Sequence, residues 1–279
     1  MAAVRIALAQ VDCVLGDVTG NLDRAHDTVR EAAARGADLV VFPELSLHGY
    51  ALGRLPGDTS LAAEDERLNA LSHHGPDVLV GLHEDGRLRR YNSASYVADG
   101  AVLHTHRKLY LPNYLEWEER KHFSPGHTLR AFETAHARVA TLICNDAWQP
   151  MLPWLAAQDG AEVLLVPTNS AAGLAPGAVD TVVYWQDLLL NIARLQQCWV
   201  VFVNRVGAEG KASFWGGSRV LDPWGQVAAE APGREESLTL VDLDVRAVRR
   251  RRREMPLLEE ARFGLVQREV HRLMQEGVD

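Results

Sequence analysis

The chain is poor in the features that would tie it to a membrane, a nucleic acid or a metal cluster. Only three cysteines, Cys13, Cys144 and Cys198, stand in 279 residues; the number is odd and no Cys-x-x-Cys pair occurs. That argues against a disulfide framework or a zinc knuckle and for reduced thiols in a cytoplasmic protein. No uncharged apolar run reaches the ~18 residues of a membrane span. The N-terminus Met1-Ala2-Ala3-Val4-Arg5-Ile6 enters a strand directly, without the pattern of a secretory signal. Basic charge is in deficit, with 29 Lys and Arg against 37 Asp and Glu and a net charge of −8. A nucleic-acid binder usually shows the opposite sign, and the basic run 249–253 reads as the solvated face of a late helix. There is no low-complexity segment, fixed-period repeat or composition break, so one domain over 1–279 is expected, with a charged helical tail from about 245. At 47% hydrophobic and 24% charged, the composition is that of a globular chain long enough to bury a sizeable core.

What is present alternates strand and helix. Residues 4–10 predict a strand, 21–34 a helix with Gly36 near its C-cap, and 37–43 a short buried strand ending at Pro43-Glu44. A second helix is expected over 60–71, a buried strand over 77–82, and a hairpin from 91–97 and 101–106 around Asp99-Gly100. Residues 107–126 read as a long loop, a length that in compact domains is commonly functional. Residues 139–148 run from a β-branched strand into Cys144-Asn145-Asp146. A short helix over 153–158, a strand over 161–167 running into Thr168-Asn169-Ser170, a long amphipathic helix over 180–197 and a strand over 198–204 follow. Two more strands, 216–222 and 237–242, are read as joined by a Pro-Trp-Gly turn. The pattern predicts an α/β layered fold with a mixed sheet or two stacked sheets.

Three strand ends or post-strand loops carry a reactive group: Glu44, Lys108 and Cys144. Carboxyl ends of strands are where open α/β sheets bind ligands. Cys144 alone is as well explained as a small buried hydrophobe. Beside a buried glutamate it acquires a general base. Beside a lysine it acquires an ammonium that lowers the thiol pKa and, with the Asn145 N–H, holds an oxyanion. Together the three make an acyl-transfer site with no metal or cofactor. A metal-dependent reading would draw on Asp12, His104, His106 and Asp146, which form no compact ligand motif.

The chain resembles the nitrilase superfamily of carbon–nitrogen hydrolases. The likeness rests on ordered stretches: 4–10 with Gly16-Asp17 and Asn21; 36–44; 106–114; Phe123-Ser124-Pro125-Gly126; 142–148; Pro167-Thr168-Asn169-Ser170; Asn204-Arg205-Val206-Gly207; and Gly217-Ser218-Arg219-Val220. The resemblance implies a four-layer αββα sandwich, assembly as a homodimer or larger homo-oligomer, and a catalytic triad of Glu44, Lys108 and Cys144. It implies a second active-site glutamate shortly before the Ser-Pro-Gly turn. Counting back from Ser124 gives Glu119, with Glu116 and Glu118 as rivals. The loop motifs look most like the glutaminase domain of glutamine-dependent NAD synthetases, which places Tyr114 and Trp148, with Asn169, in the substrate pocket. An aromatic pair there is equally compatible with core packing.

The chain departs from that group. It is expected to stand alone, with no Gly-rich phosphate loop for ATP in its last stretch, and it carries Asn145 after the cysteine. The expected function is hydrolysis of a small linear carboxamide to acid and ammonia through a Cys144 thioester. An ammonia-donating or non-catalytic partner subunit is the alternative. N-carbamoyl and nitrile substrates rank below both. Neither a nucleic acid nor a membrane is expected as a partner.

Overall fold

The structure, a computed structural model, describes residues 3–114, 117–172 and 180–277. The first half of the chain forms β1 (Val4–Gln10), α1 (Val18–Ala34), β2 (Leu39–Val41), α2 (Glu66–Asn69), β3 (Asp77–Asp85), β4 (Arg90–Ala98) and β5 (Ala101–Arg107). After a long loop come β6 (Ala131–Glu133), β7 (Arg138–Thr141), α3 (Met151–Gln158), β8 (Val163–Thr168), β9 (Ala171–Ala172), α4 (Thr181–Gln196) and β10 (Trp199–Asn204). The rest is β11 (Val206–Glu209), β12 (Ala212–Trp215), β13 (Arg219–Leu221), β14 (Val227–Glu230), β15 (Ser237–Leu243), α5 (Arg246–Glu254) and α6 (Phe263–Gln275).

Two six-stranded sheets stack face to face, in the orders β15-β1-β2-β3-β4-β5 and β14-β13-β10-β8-β7-β6. Each has three parallel strands at its centre, β1-β2-β3 and β7-β8-β10, and antiparallel strands outside them. Side chains alternate across each strand. Ile6, Leu8, Leu39, Val41 and Leu79 therefore face Val139, Val163, Leu165, Val201 and Val203 in the layer between the sheets. The opposite faces are apolar too. Ala7, Ala9, Val40, Val78 and Val80 receive Leu22, Ala25, Val29 and Ala32 of α1. Ala140, Leu164, Val200 and Phe202 receive Ala156 of α3 and Trp185, Leu189 and Ile192 of α4. Burial on both faces is why these strands read as continuous apolar runs rather than as alternating ones. The result is four layers, helix-sheet-sheet-helix. Among the described residues no helix is long and apolar enough to cross a membrane.

Three elements differ from the sequence reading. The helix expected over 60–71 is a single turn, α2, running into a 3₁₀ turn over Ala70–His74. Leu61 instead bridges to Glu84 beside β3, and the helix starts only where Asp65 caps the Arg67 N–H. The Pro-Trp-Gly turn joins β13 to β14, not to residues 237–242. Those residues form β15, which crosses to the other sheet and pairs with β1. Finally, β9, β11 and β12 form a small third sheet that the sequence pattern did not reveal.

Candidate active site

The chain leaves β2 through Phe42-Pro43-Glu44, and Leu45 takes a left-handed backbone with φ 48°. This turn lies against β3 at Gly81, where a Cβ would stand 2.4 Å from the Leu45 nitrogen and 2.5 Å from the Pro43 oxygen. A glycine is therefore what lets Glu44 reach the layer between the sheets, where it is 1% exposed. Its carboxylate accepts from Lys108 Nζ at 2.6 Å, Asn92 Nδ2 at 2.7 Å and the Asn169 N–H at 2.8 Å.

Lys108 follows β5 and is fully buried. Its N–H donates to the Asn92 carbonyl, and its carbonyl accepts from the Gly126 N–H of the Ser-Pro-Gly turn, both at 2.8 Å. Its ammonium bridges two carboxylates, with Glu119 Oε1 also at 2.6 Å. Glu119 opens a 3₁₀ turn and accepts from the Tyr50 hydroxyl at 2.6 Å. Of the two candidate second glutamates among the described residues, Glu119 is the one beside Lys108. Glu118 is exposed and pairs with Lys121, and Glu116 lies outside the described residues.

Cys144 sits where β7 has ended and a 3₁₀ turn over Cys144–Asp146 begins, with its own backbone left-handed at φ 46°. A non-glycine residue in that region is held there by its surroundings. Asp146 supplies much of the hold. Its Oδ2 accepts from the Ile143 N–H and from His106 Nε2, and its Oδ1 from the Leu109 and Tyr110 N–H groups at 2.9 Å each. One buried carboxylate thus clamps the cysteine turn to the loop that carries Lys108. The residues of the metal reading part company here. Asp12 pairs with Arg205, His104 stacks on Phe132, and His106 and Asp146 serve this clamp.

The charges depart from the sequence reading in one respect. Lys108 does act to lower the thiol pKa, but burial and the Glu44 carboxylate outweigh it and push Cys144 well above the usual range. Burial likewise opposes the Lys108 ammonium, yet Glu119 and Glu44 prevail, so Lys108 stays charged. Burial pushes the Glu119 carboxyl up to about 7, against the pull of Lys108. The resting cysteine is accordingly a thiol, which as a nucleophile would need a base.

Cys144, Asn145 and Glu119 line a small cavity of about 50 Å³ with Tyr114, Trp117, Trp148, Asn169 and Trp185. Trp148 stacks with Tyr184 and meets Trp185 edge to face. Tyr114, Trp148, Asn145 and Asn169, each singled out in the sequence, are therefore gathered at one pocket. Tyr50, Asn92 and Gly81 were not, and Asp146 was singled out only as a candidate metal ligand. Their one signal is polar or small residues inside apolar runs, which does not name a partner.

A sequence profile described as carbon-nitrogen hydrolase matches residues 5–253. The chain belongs to the carbon–nitrogen hydrolase family. It is an enzyme of the nitrilase superfamily acting on non-peptide carbon–nitrogen bonds. The omega-amidase NIT2 of Mus musculus is 31% identical over 282 residues, covering 95% of this chain and 97% of that protein. A glutamine-dependent NAD(+) synthetase of Thermotoga maritima is 36% identical over 250 residues, covering 88% of this chain. The hydrolase spans only 43% of the length of that synthetase. Among solved structures, a mutant amidase from Nesterenkonia sp. AN1 in complex with acrylamide superposes with TM-score 0.81 at 27% identity, covering 95% of this chain and 97% of that one. Another mutant of that amidase, with TM-score 0.79, 28% identity and coverage of 96% and 97%, shows covalent addition of the acetamide moiety of fluoroacetamide at its active-site cysteine. These likenesses give the hydrolase the four-layer nitrilase fold and set it beside cysteine-dependent amidases.

Proposed function

We propose that this amidase hydrolyses a small linear carboxamide to the carboxylic acid and ammonia through a thioester on Cys144. The observation that carries the reading is Lys108, a fully buried ammonium held at 2.6 Å from both Glu44 and Glu119, beneath a pocket that contains Cys144. Two buried carboxylates around one lysine form an arrangement that a structural role alone seldom requires.

The steps follow from the charges. Glu44 accepts the thiol proton as Cys144 Sγ attacks the amide carbon. The oxyanion that forms is held by the Lys108 ammonium and the Asn145 N–H. The proton returns to nitrogen as the C–N bond breaks, ammonia leaves, and the acyl group remains on sulfur. Glu44 then takes a proton from water, which attacks the thioester and restores the thiol. Glu119 and Tyr50 keep the ammonium in line with Glu44. The covalent addition at the cysteine of the Nesterenkonia amidase supports, by likeness, a nucleophilic role for Cys144. A second reading, an ammonia-donating partner subunit, is supported by the 36% identity to part of the Thermotoga synthetase.

Ammonia release from a panel of amides, followed with wild type and Cys144→Ala, tests the reading. Wild type should release ammonia and show an acyl adduct by intact mass. Cys144→Ala should lose on the order of 10⁴-fold in kcat. Ammonia production that survives in Cys144→Ala would remove the thioester.

A further inference from the structure

Apart from the Lys108 ammonium, which the reaction itself uses, the described lining of the pocket above Cys144 has no positive charge to offer a second group on a substrate. Among the described residues that line it there is neither a lysine nor an arginine, and its one ionisable acid is Glu119. The site's own cation, Lys108, is fully buried and already shared by two carboxylates. Glu44, Glu119 and Lys108 together carry a formal charge of −1 when both acids are ionised. The two internal stretches outside the described residues add no base in sequence: Leu115 and Glu116 bring another acid, and 173–179 reads Gly-Leu-Ala-Pro-Gly-Ala-Val. Arg120 lines the adjoining groove, which shares Pro112, Tyr114 and Asn145 with the pocket, but it is exposed and outside the pocket lining.

A second observation says what the pocket offers instead. The Asn169 side chain is 2% exposed, yet among the described residues neither its Oδ1 nor its Nδ2 has a hydrogen-bond partner. A buried amide left this way is costly unless something binds it. It lines the same pocket as Cys144, and its backbone N–H already holds Glu44. One donor and one acceptor side by side complement the C=O and NH₂ of a primary carboxamide. The rest of the wall is largely aromatic: Tyr114, Trp117, Trp148 and Trp185.

Resting on the amidase reading, we infer that the site takes small, electrically neutral primary carboxamides, reads them through the Asn169 side chain, and turns away ω-amides that carry a carboxylate. A carboxylate entering a confined pocket with acids beneath it and no counter-ion would be stripped of water and left unpaired. This separates the hydrolase from what the names of its omega-amidase and synthetase relatives would suggest.

The test uses propionamide, succinamate and the methyl ester of succinamic acid, which differs from succinamate in charge and little in length. Expected are turnover of propionamide, a kcat/KM roughly 100-fold or more lower for succinamate, and recovery of most of that loss with the ester. Succinamate equal to or better than its ester overturns the inference, and if that preference vanishes in Arg120→Ala the charge reader is Arg120. An ester as poor as succinamate, with propionamide turned over, shows that length and not charge excludes it and also overturns it. No ammonia from any amide sinks the amidase reading itself. Asn169→Leu should raise KM for propionamide about 10-fold with kcat changed far less; an unchanged KM removes Asn169 from recognition.

Discussion

Of the chain's 29 basic residues only three are lysines, and one of these is the fully buried Lys108. An ammonium is a compact point charge, whereas a guanidinium is a wide planar fork, so a site that sets one cation 2.6 Å from two carboxylates suits lysine. The price of that arrangement falls on Glu119, whose carboxyl is held at about 7 against an ordinary 4.5. Between those values the folded chain keeps a proton that the unfolded chain has shed. Stability from this group is therefore fully present below about pH 4.5, falls as pH rises, and is gone above about 7. Urea midpoints measured from pH 4.5 to 8 should drop for wild type relative to Glu119→Gln, the two curves converging in slope above 7. Parallel curves throughout would mean that Glu119 is ionised across the whole range. Single residues were also where the sequence was most legible. Glu44 and Cys144 end apolar strands and Lys108 follows the hairpin, so chain position exposed them. Glu119 could be found only by counting back from Ser124-Pro125-Gly126. Tyr50 and Asn92 could not be found at all, because each earns its role from a partner 69 or 48 residues away.

At the scale of elements, the cysteine turn and the lysine loop act as one piece because Asp146 holds both. Four donors converge on its two oxygens. In Asp146→Asn the new NH₂ must face two of those donors whichever way the amide turns. The expected result is a loss of about 2 kcal/mol or more of stability, with kcat falling much further than KM changes. A variant with wild-type kcat would show that the left-handed Cys144 backbone needs no such clamp. Element reading from sequence failed where tertiary contacts override local preference. Residues 60–71 carry a helical pattern, yet Leu61 is taken by an isolated bridge to Glu84. Residues 237–243 look like the next strand of a meander, yet their pairing with β1 depends on a sheet edge more than 220 positions earlier in the chain. No local window of sequence contains that information, since the pairing joins Val4 to Leu243.

At the scale of the molecule, the site is divided between the two sheets. Glu44 and Lys108 are delivered by the β1–β5 side, and Cys144 and Asn169 by the β6–β14 side. The layer of side chains between the sheets therefore sets the catalytic distances, while the outer helices mainly hold each sheet in shape. Two fully buried leucines separate these roles: Leu8 lies between the sheets, and Leu189 belongs to α4 and packs on the outer face of the second sheet. Leu8→Ala and Leu189→Ala should each cost about 2–5 kcal/mol in stability. At a temperature where both remain folded, Leu8→Ala should lose clearly more kcat. Equal losses would mean that the sheets do not shift when the layer between them is thinned. The layered architecture itself was legible, because apolar runs bounded by helices leave few other ways to bury both faces of a strand; the register that brings the two halves of the site together was not.

The uncharged state of the Cys144 thiol has a consequence outside the reaction. Peroxide and most oxidants attack the thiolate and follow its abundance and exposure. A thiol that burial and the Glu44 carboxylate hold well above the usual range presents little thiolate to the oxidants that disable low-pKa thiols. Such an enzyme needs no resolving cysteine beside it, and the other two, Cys13 and Cys198, are themselves buried, with thiols that burial pushes up to about 11 and about 12. Peroxide should therefore inactivate this enzyme more slowly than one with a low-pKa active-site thiol, a difference that residual ammonia release after timed exposure measures.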